Sequence, residues 1–351
     1  MAEGYDAILV VGFGGPEAPD DVLPFLENVT RGRNVPRERL LAVADHYYHF
    51  GGKSPINEQC RALIAALSKE LDEHSIRLPV YWGNRNWHPL LPDTMRQMRA
   101  DGISRALAFV TSGYSSYSGC RQYRENIAAA QAQVGVGAPE VHKLRVFYNH
   151  PNFIEACAAR VREAAANLSE LNSKNARLVA TAHSIPSALA RTSRYEEQLR
   201  ETTRLVAEAV GFEAWDLVYQ SRSGPPNQPW LEPDILDHLR HLAARGVRDV
   251  LVAPLGFISD HLEVLYDLDI EAAALASELG IKLSRAATVG THPAFVAMIR
   301  LLIGERLFGE PKLAMGHFGP TDDVCREDCC PAPTRAGTPR VSELPFVLQR
   351  S

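Results

Sequence analysis

Short apolar runs alternate with amphipathic stretches along most of the chain. Runs of the kind that forms buried strands cover residues 5–11, 79–82, 106–111, 144–148, 178–183, 215–220 and 250–255. Between them, apolar residues recur at helical spacing, which predicts helices over 61–71, 94–101, 125–132, 152–167, 195–210, 233–245, 262–279 and 293–308. Because strands that alternate with helices form parallel sheets covered on both faces, the pattern predicts an α/β protein of two successive units.

Two of the apolar runs stop abruptly at polar residues. One ends at His183, and the other passes through Gly256 and Ser259 to reach Glu263. Ligands of open parallel sheets bind beyond the carboxyl ends of the strands, so both residues fall where a site would be built. An imidazole and a carboxylate there could share a proton or hold a metal ion. Taken alone, His183 is also consistent with a structural residue that closes a strand.

Three carboxylates follow one another on the helix predicted after Ser259. Glu263, Asp267 and Glu271 are spaced at i, i+4 and i+8, so on a regular helix they lie along one face. Such a stripe is either a solvated surface or a path for a divalent cation or protons that leads outward from the strand end. Asp269 lies off this face and is expected to be ordinary surface.

Two polar loops predict a cleft for a large, flat, anionic ligand. The loop 113–124 follows a strand end and carries hydroxyls and arginines, and the loop 51–57 contains Lys53 and Ser54. Hydroxyls and guanidinium groups bind carboxylates, and aromatic rings such as Phe13 and Trp230 can stack on a planar ligand. The glycines after the first strand lack the full spacing of a dinucleotide fingerprint, and the chain contains no Walker loop and no Cys-x-x-Cys pair.

Composition narrows the class of protein. The 351 residues exceed one average core, and 46% hydrophobic with 23% charged residues is the balance of a soluble globular protein. The net charge of −5 argues against a nucleic-acid partner. No apolar stretch approaches the roughly 20 residues of a membrane span, and the N-terminus lacks the features of a signal peptide, so a cytoplasmic location is expected.

The cysteines are unevenly distributed. Cys325, Cys329 and Cys330 crowd together near the C-terminus, while the other three are scattered. In a reducing compartment such crowding favours metal ligation over a disulfide, although incidental thiols on an unstructured tail are the alternative. The region from residue 311 onward has no helical or strand period, and we expect disorder beyond about residue 335.

Five motifs in a fixed order resemble the ferrochelatase family over residues 5–310. They are Val11–Pro16 (VGFGGP), Gly51–Asn57 (GGKSPIN), Thr181–Pro186 (TAHSIP), Tyr219–Arg222 (YQSR) and Gly256–Glu263 (GFISDHLE). The resemblance implies two Rossmann-like, chelatase-type domains with parallel four-stranded sheets flanked by helices, and a porphyrin cleft between them. It places the first domain at 1–114, completed by a C-terminal helix at 287–310, the second at 115–286, and an extension at 311–351.

The resemblance also implies a reaction and a set of site residues. The reaction is insertion of Fe2+ into a porphyrin with loss of two protons, in haem b biosynthesis. His183 would take pyrrole protons or bind iron, Glu263 would be its partner, and Tyr123 would contact iron from the opposite face. Asp267 and Glu271 would form an outer path for metal or protons. The implied porphyrin contacts are Phe13, Arg31, Tyr47, Ser54 and Tyr123. Two positions depart from the family pattern, because Phe13 replaces a common tyrosine and His46 replaces an arginine of some relatives.

Some family members hold a [2Fe–2S] cluster with one internal and three C-terminal cysteines. By resemblance to the actinobacterial arrangement, the ligands here would be Cys157, Cys325, Cys329 and Cys330, leaving Cys60 and Cys120 as free thiols. Those bacterial enzymes convert coproporphyrin III to coprohaem III, so this substrate is expected here, for a monomeric enzyme. The alternatives are a protoporphyrin IX ferrochelatase, a cobalt or nickel chelatase, and a non-catalytic porphyrin or haem carrier.

Overall fold

The computed structural model describes residues 4–32, 35–166, 168, 176–224, 227–326 and 328–333. These ranges contain two four-stranded sheets in which every strand pairing is parallel. The first sheet has the order β2-β1-β3-β4 and the second the order β6-β5-β7-β8. The strands are β1 (Ala7–Gly12), β2 (Val80–Asn84), β3 (Arg105–Val110), β4 (Glu140–Lys143), β5 (Ala176–His183), β6 (Trp215–Gln220), β7 (Asp249–Ala253) and β8 (Lys282–Arg285). The predicted fold class, two α/β units with parallel four-stranded sheets, is confirmed.

Helices cover the sheets. They are α1 (Val22–Val29), α2 (Arg37–His49), α3 (Ile56–Glu73), α4 (Leu91–Ala100), α5 (Gln122–Val134), α6 (Pro151–Ala165), α7 (Ser187–Arg191), α8 (Tyr195–Val210), α9 (Ile235–Ala244), α10 (Leu262–Val264), α11 (Ala273–Glu278) and α12 (Pro293–Leu307). Two stretches, Tyr117–Arg121 and Leu265–Ala272, are π-helical. None of the helices in the described ranges is long and apolar enough to cross a membrane.

The inner strands consist of apolar residues because helices cover both of their faces. All six residues of β1 are buried, and so are the last four residues of β7. In each sheet the chain changes its direction of winding between two adjacent inner strands, β1 and β3 in the first sheet and β5 and β7 in the second. A crevice opens at the carboxyl ends of such a strand pair, which is where α/β proteins bind ligands.

The apolar run 144–148 was wrongly predicted to be a strand. The fourth strand of the first sheet lies just before it, at β4. The run is buried by other parts of the chain: the Arg145 guanidinium binds the carboxylate of Glu305 at 2.7 Å, and the hydroxyl of Thr321 donates to the carbonyl of Val146. Because β4 pairs with β3, the first sheet extends past the domain boundary predicted after residue 114.

The C-terminal helix joins the two units. α12 packs against α3 of the first unit and α6 of the second, and their side chains form one apolar cluster. Residues 313–321 of the extension then lie against residues 145–149 and α8, and Cys329 lies beside Arg121. The disorder predicted beyond residue 335 falls outside the described residues.

Candidate active site

His183 and Glu263 meet at the crevice of the second sheet. His183 is the last residue of β5, and Glu263 lies on α10, beyond the loop that follows the adjacent strand β7. The Nε2 atom of His183 is 3.5 Å from Oε2 of Glu263, and both side chains are half-buried. The two strand ends singled out in the sequence therefore converge.

The backbone fixes which nitrogen of His183 is available for chemistry. Nδ1 lies 2.6 Å from the carbonyl oxygen of Ser184. A carbonyl can only accept a hydrogen bond, so Nδ1 carries a proton and donates it. In the neutral ring Nε2 then holds the lone pair, facing Glu263. The phenol of Tyr195 further anchors this strand end by donating to the carbonyl of His183.

Each member of the pair shifts the pKa of the other. Burial lowers the pKa of His183, but the hydrogen bond and negative charge of Glu263 outweigh burial, so this pKa lies above 6.5. Burial raises the pKa of Glu263, yet His183, followed by His261 and His46, brings it to about 2. At neutral pH Glu263 is ionised, and it stabilises a proton taken up by His183.

Asp267 is the next carboxylate along the helix after the His183–Glu263 pair. Its carboxylate accepts hydrogen bonds from the side-chain amide of Gln220, the last residue of β6, at 3.1 Å and from the hydroxyl of Ser221, the next residue. Ser221 has a φ of +60°, a conformation that L-residues rarely adopt. Burial, with a smaller effect from the nearby charge of Glu263, raises the pKa of Asp267 to about 7. Asp267 can therefore exchange protons near neutral pH.

The acidic residues lie on a widened helix rather than the regular one predicted over 262–279. At 3.6 residues per turn, a strict four-residue spacing drifts around an α-helix by about 40° at each step. The π-helical stretch has more residues per turn and reduces this drift. Two sets of residues that recur every fourth position therefore each stay close to one face of the helix. One set is acidic, Glu263, Asp267 and Glu271, and the other is buried, Val264, Leu268, Ala272 and Ala276. Glu271 is exposed at the outer end.

The first sheet contributes an aromatic and basic cluster at its own crevice. The guanidinium carbon of Arg85, beyond β2, lies 5.6 Å from the ring centroid of Phe13 and 5.0 Å from that of Tyr123. Arg85 thus joins two predicted porphyrin contacts that follow β1 and β3. The sequence reasoning missed Arg85, although its position directly after a strand end was a usable signal.

Helix α2 closes over the carboxylate side of the site. The imidazole of His46 stacks on Tyr266 of the π-helical stretch, with ring centroids 3.8 Å apart. Tyr47 is buried with Phe25 and Leu262, and burial with the charge of Glu263 strongly raises its pKa. The structure thus brings α2 of the first unit into contact with the residues that flank Glu263.

The structure does not bring two of the predicted porphyrin contacts, Ser54 and Arg31, to the pair formed by His183 and Glu263. Ser54 is buried beside Gly15, where a Cβ would lie 2.9 Å from that of Ser54. Arg31 is exposed at the end of α1 and lines a cavity of about 500 Å3 with Asn28 and Trp87. Neither His183 nor Glu263 lines that cavity.

Cys120, which was predicted to be a free thiol and forms no disulfide, lies beside the C-terminal cysteines. The thiols of Cys120 and Cys325 share a hydrogen bond, and Cys330 lies within electrostatic reach of Cys120. The Sγ atoms of Cys329 and Cys330 are 3.6 Å apart. Within the described residues, no three His, Cys, Asp or Glu side chains are already arranged around one metal ion.

Cys157, predicted as the internal ligand, lies on α6. It is buried, and burial strongly raises its pKa. The described residues that line the small space beside it include Val161, Ala253 and Leu255 but no second cysteine.

Comparison with known proteins gives consistent matches. The model of the family described as ferrochelatase matches residues 5–307. A ferrochelatase of Rhodopirellula baltica is 58% identical over 328 residues, which cover 93% of each chain. A coproporphyrin III ferrochelatase of Streptomyces griseus is 49% identical, covering 98% of each chain. The sirohydrochlorin chelatase SirB of Bacillus subtilis, solved in complex with cobalt, shares the fold at a TM-score of 0.51 and 12% identity, over 87% of this chain and 96% of SirB.

Proposed function

The chain belongs to the ferrochelatase family, and we propose that it inserts Fe2+ into coproporphyrin III, releasing two protons and forming coprohaem III for haem b synthesis. The observation that carries the proposal is the pair formed by Nε2 of His183 and the ionised Glu263, 3.5 Å apart at the crevice of the second sheet. Relatives described as coproporphyrin III ferrochelatases match this chain at about 50% identity, which supports this porphyrin as the substrate.

Proton removal is the part of the reaction to which the chain's own residues are best suited. With Nδ1 donating to Ser184, Nε2 of His183 is free to accept a pyrrole proton. Glu263 stabilises the resulting imidazolium, and Asp267, with a pKa of about 7, can receive a proton and release it toward the exposed Glu271. The same carboxylates offer the oxygen ligands through which Fe2+ could approach.

The proposal also includes residues that contact the porphyrin. Phe13, Tyr123 and Arg85 form one wall, with Tyr123 facing the macrocycle opposite His183. Arg31, Tyr47 and Ser54 are assigned to substrate carboxylates. Tyr47, Ser54 and Tyr123 each expose less than a tenth of their surface, so porphyrin must displace neighbouring side chains to reach them. We expect the enzyme to work as a monomer in the cytoplasm, where six cysteines without a disulfide would remain reduced.

An anaerobic assay with Fe2+ and purified porphyrins tests the reaction. Faster metallation of coproporphyrin III than of protoporphyrin IX supports the proposal. The reverse order would assign protoporphyrin IX as the substrate. Tight porphyrin binding without metallation would identify a carrier and overturn the enzymatic role.

We further propose that Cys120, Cys325, Cys329 and Cys330 hold a [2Fe–2S] cluster. Such a cluster takes four thiolates, two on each iron, and these thiols lie as two contacting pairs. The 3.6 Å between the Sγ atoms of Cys329 and Cys330 is close to the roughly 3.7 Å expected for two thiolates on one tetrahedral metal. The hydrogen bond from Cys325, with the nearby Lys143 and Arg124, lowers the pKa of Cys120 and favours the thiolate that binds metal.

Spectra of anaerobically purified variants test this ligand set. The wild type should show visible absorption, equal amounts of iron and acid-labile sulfide, and an electron paramagnetic resonance signal on reduction. Cys120→Ser should lose these features, whereas Cys157→Ser and the control Cys60→Ser should keep them. Loss in Cys157→Ser with retention in Cys120→Ser would restore the ligand set expected from the sequence. Zinc in place of iron in the wild type would refute the cluster.

A further inference from the structure

The guanidinium of Arg285 clamps two aspartates, Asp260 before the helix that carries Glu263 and Asp267, and Asp269 on that helix. Arg285 is the last residue of β8, and its Nε and Nη2 atoms bind the two carboxylate oxygens of Asp269 at 2.6 and 2.8 Å. Its Nη1 atom binds Oδ1 of Asp260 at 3.1 Å. Asp269, expected to be ordinary surface, is therefore half of a bidentate ion pair. Only 17% of the Arg285 side chain is exposed, so the clamp is shielded from competing water.

Asp260 is also tied to the other unit of the protein. Its backbone N–H donates to Oε1 of Gln59 on α3 at 2.9 Å. The loop that leads to Glu263 is thus held by the first unit through the Asp260 backbone and by the second unit through its carboxylate. Through its other ion pair, Arg285 links this loop to Asp269 on the π-helical stretch.

The clamped segment carries the carboxylates of the candidate site. Glu263 and Asp267 both lie between Asp260 and Asp269, and the buried Val264 and Leu268 fix the opposite face of the helix. With one face packed, and with Asp260 and Asp269 joined to a single guanidinium, the segment between these two residues has little freedom to turn about the helix axis. A small rotation would carry Glu263 away from Nε2 of His183.

We propose that Arg285 is a positioning residue for iron insertion, holding Glu263 and Asp267 where they receive Fe2+ and protons. This inference rests on the proposed function. A lysine at this position would keep the positive charge, but it is a point donor that cannot bind both oxygens of Asp269 while reaching Asp260. The planar arrangement of N–H donors on the Arg285 guanidinium, rather than its charge, holds the two aspartates.

Arg285→Lys tests the role, with Arg177→Lys as a matched control. Arg177 makes the same kind of bidentate pair with Asp216, at 2.5 and 2.8 Å, but near the amino end of β5 and away from the site. We expect Arg285→Lys to raise the Kd for Fe2+, measured by anaerobic calorimetry, and the KM for Fe2+ by about tenfold, as for other residues that orient metal ligands. The KM for porphyrin should change less than about twofold in both variants. Arg177→Lys should lower thermal stability without changing either iron constant.

A milder variant guards against misfolding of Arg285→Lys. Asp260→Asn leaves the Asp269 pair intact, and we expect it to raise the Kd for Fe2+ by a smaller factor. If Arg285→Lys and Asp260→Asn lower only the melting temperature and leave Kd for Fe2+ unchanged, the positioning role is refuted. Because iron binding is measured without turnover, this result is distinct from failure of the wild type to metallate porphyrin, which would refute the proposed function alone.

Discussion

At the scale of single residues, the chemistry depends on one imidazole whose two nitrogens have different partners. The Ser184 carbonyl holds the Nδ1 proton of His183, and Glu263 faces Nε2. In the proposed reaction, this division would make Nε2 the base and the carboxylate its electrostatic support. The strand end supplies a fixed orientation, so His183 can accept a proton without first rotating.

Replacing His183 by Ala should separate catalysis from binding. We expect kcat for iron insertion to fall at least about 100-fold, the usual worth of a positioned general base. The Kd for porphyrin, measured by fluorescence quenching, should change less than about threefold. His241→Ala on the exposed face of α9 is the control and should retain full turnover. Normal kcat with much weaker porphyrin binding would contradict the role of His183 as a base.

The sequence predicted the convergence of His183 and Glu263 but not the contact of Cys120 with Cys325. Both site residues follow strands of one unit, and β5 and β7 are neighbours, so sheet topology alone brings their ends together. Cys120 meets Cys325 only because the C-terminal extension docks on a loop some 200 residues earlier in the chain. No local pattern in the sequence encodes that contact.

At the scale of elements, the helix that carries Glu263, Asp267 and Glu271 has a buried face and an acidic face. Its buried and its acidic residues both recur every fourth position, which a regular α-helix would wind around its axis. The π-helical stretch lets the buried face stay on the second sheet while the acidic face stays in line with His183. Sequence periodicity detected this helix but could not distinguish its two geometries.

Leu268→Ala should weaken the whole second unit. Leu268 is fully buried among residues of β7 and α9, and truncation of such a side chain costs about 2–5 kcal/mol. The matched control is Ile270→Ala, two residues away and 38% exposed, which should change the free energy of unfolding by less than about 0.5 kcal/mol. Denaturant unfolding measures both. Equal losses would mean that the helix does not present the faces described here.

Other elements were missed or misplaced for physical reasons. β8 has only four residues and no apolar run, so its strand character comes from pairing with β7. The apolar run 144–148 had the composition of a strand, but its burial comes from α12 and the extension. Helices α1 and α2 were not predicted, and α2 has only Ala44 and Tyr47 buried, which leaves little periodic signal.

At the scale of the whole molecule, a buried carboxylate on α8 is among the groups that bind the extension beyond α12 to the second unit. Glu201 on α8 accepts a hydrogen bond from the backbone N–H of His317 at 2.6 Å and pairs with Arg204 at 2.8 Å. The ring of Phe318 packs under Arg194, 4.8 Å from its guanidinium carbon. These contacts position the extension on its way to Cys120, so the thiol cluster depends on them.

Glu201→Gln should remove stability in a pH-dependent way. The hydrogen bond from Arg204, opposed by burial and aided by His317, lowers the pKa of Glu201 from 4.5 to about 2. A carboxylate with a lowered pKa stabilises the folded state fully above pH 4.5, and this contribution is lost as the pH falls toward 2. The melting temperature of the wild type should therefore exceed that of Glu201→Gln most at pH 6–8, with the difference shrinking below pH 4.5.

A matched variant separates this effect from ordinary surface charge. Glu196 pairs with Arg200 on the same helix, and both side chains are exposed, so Glu196→Gln should change stability by less than about 1 kcal/mol. Limited proteolysis at neutral pH should cut the extension faster in Glu201→Gln than in Glu196→Gln, because only the former loses the anchor of His317. Equal cleavage rates, or a melting difference that grows as the pH falls, would show that Glu201 does not hold the extension in place.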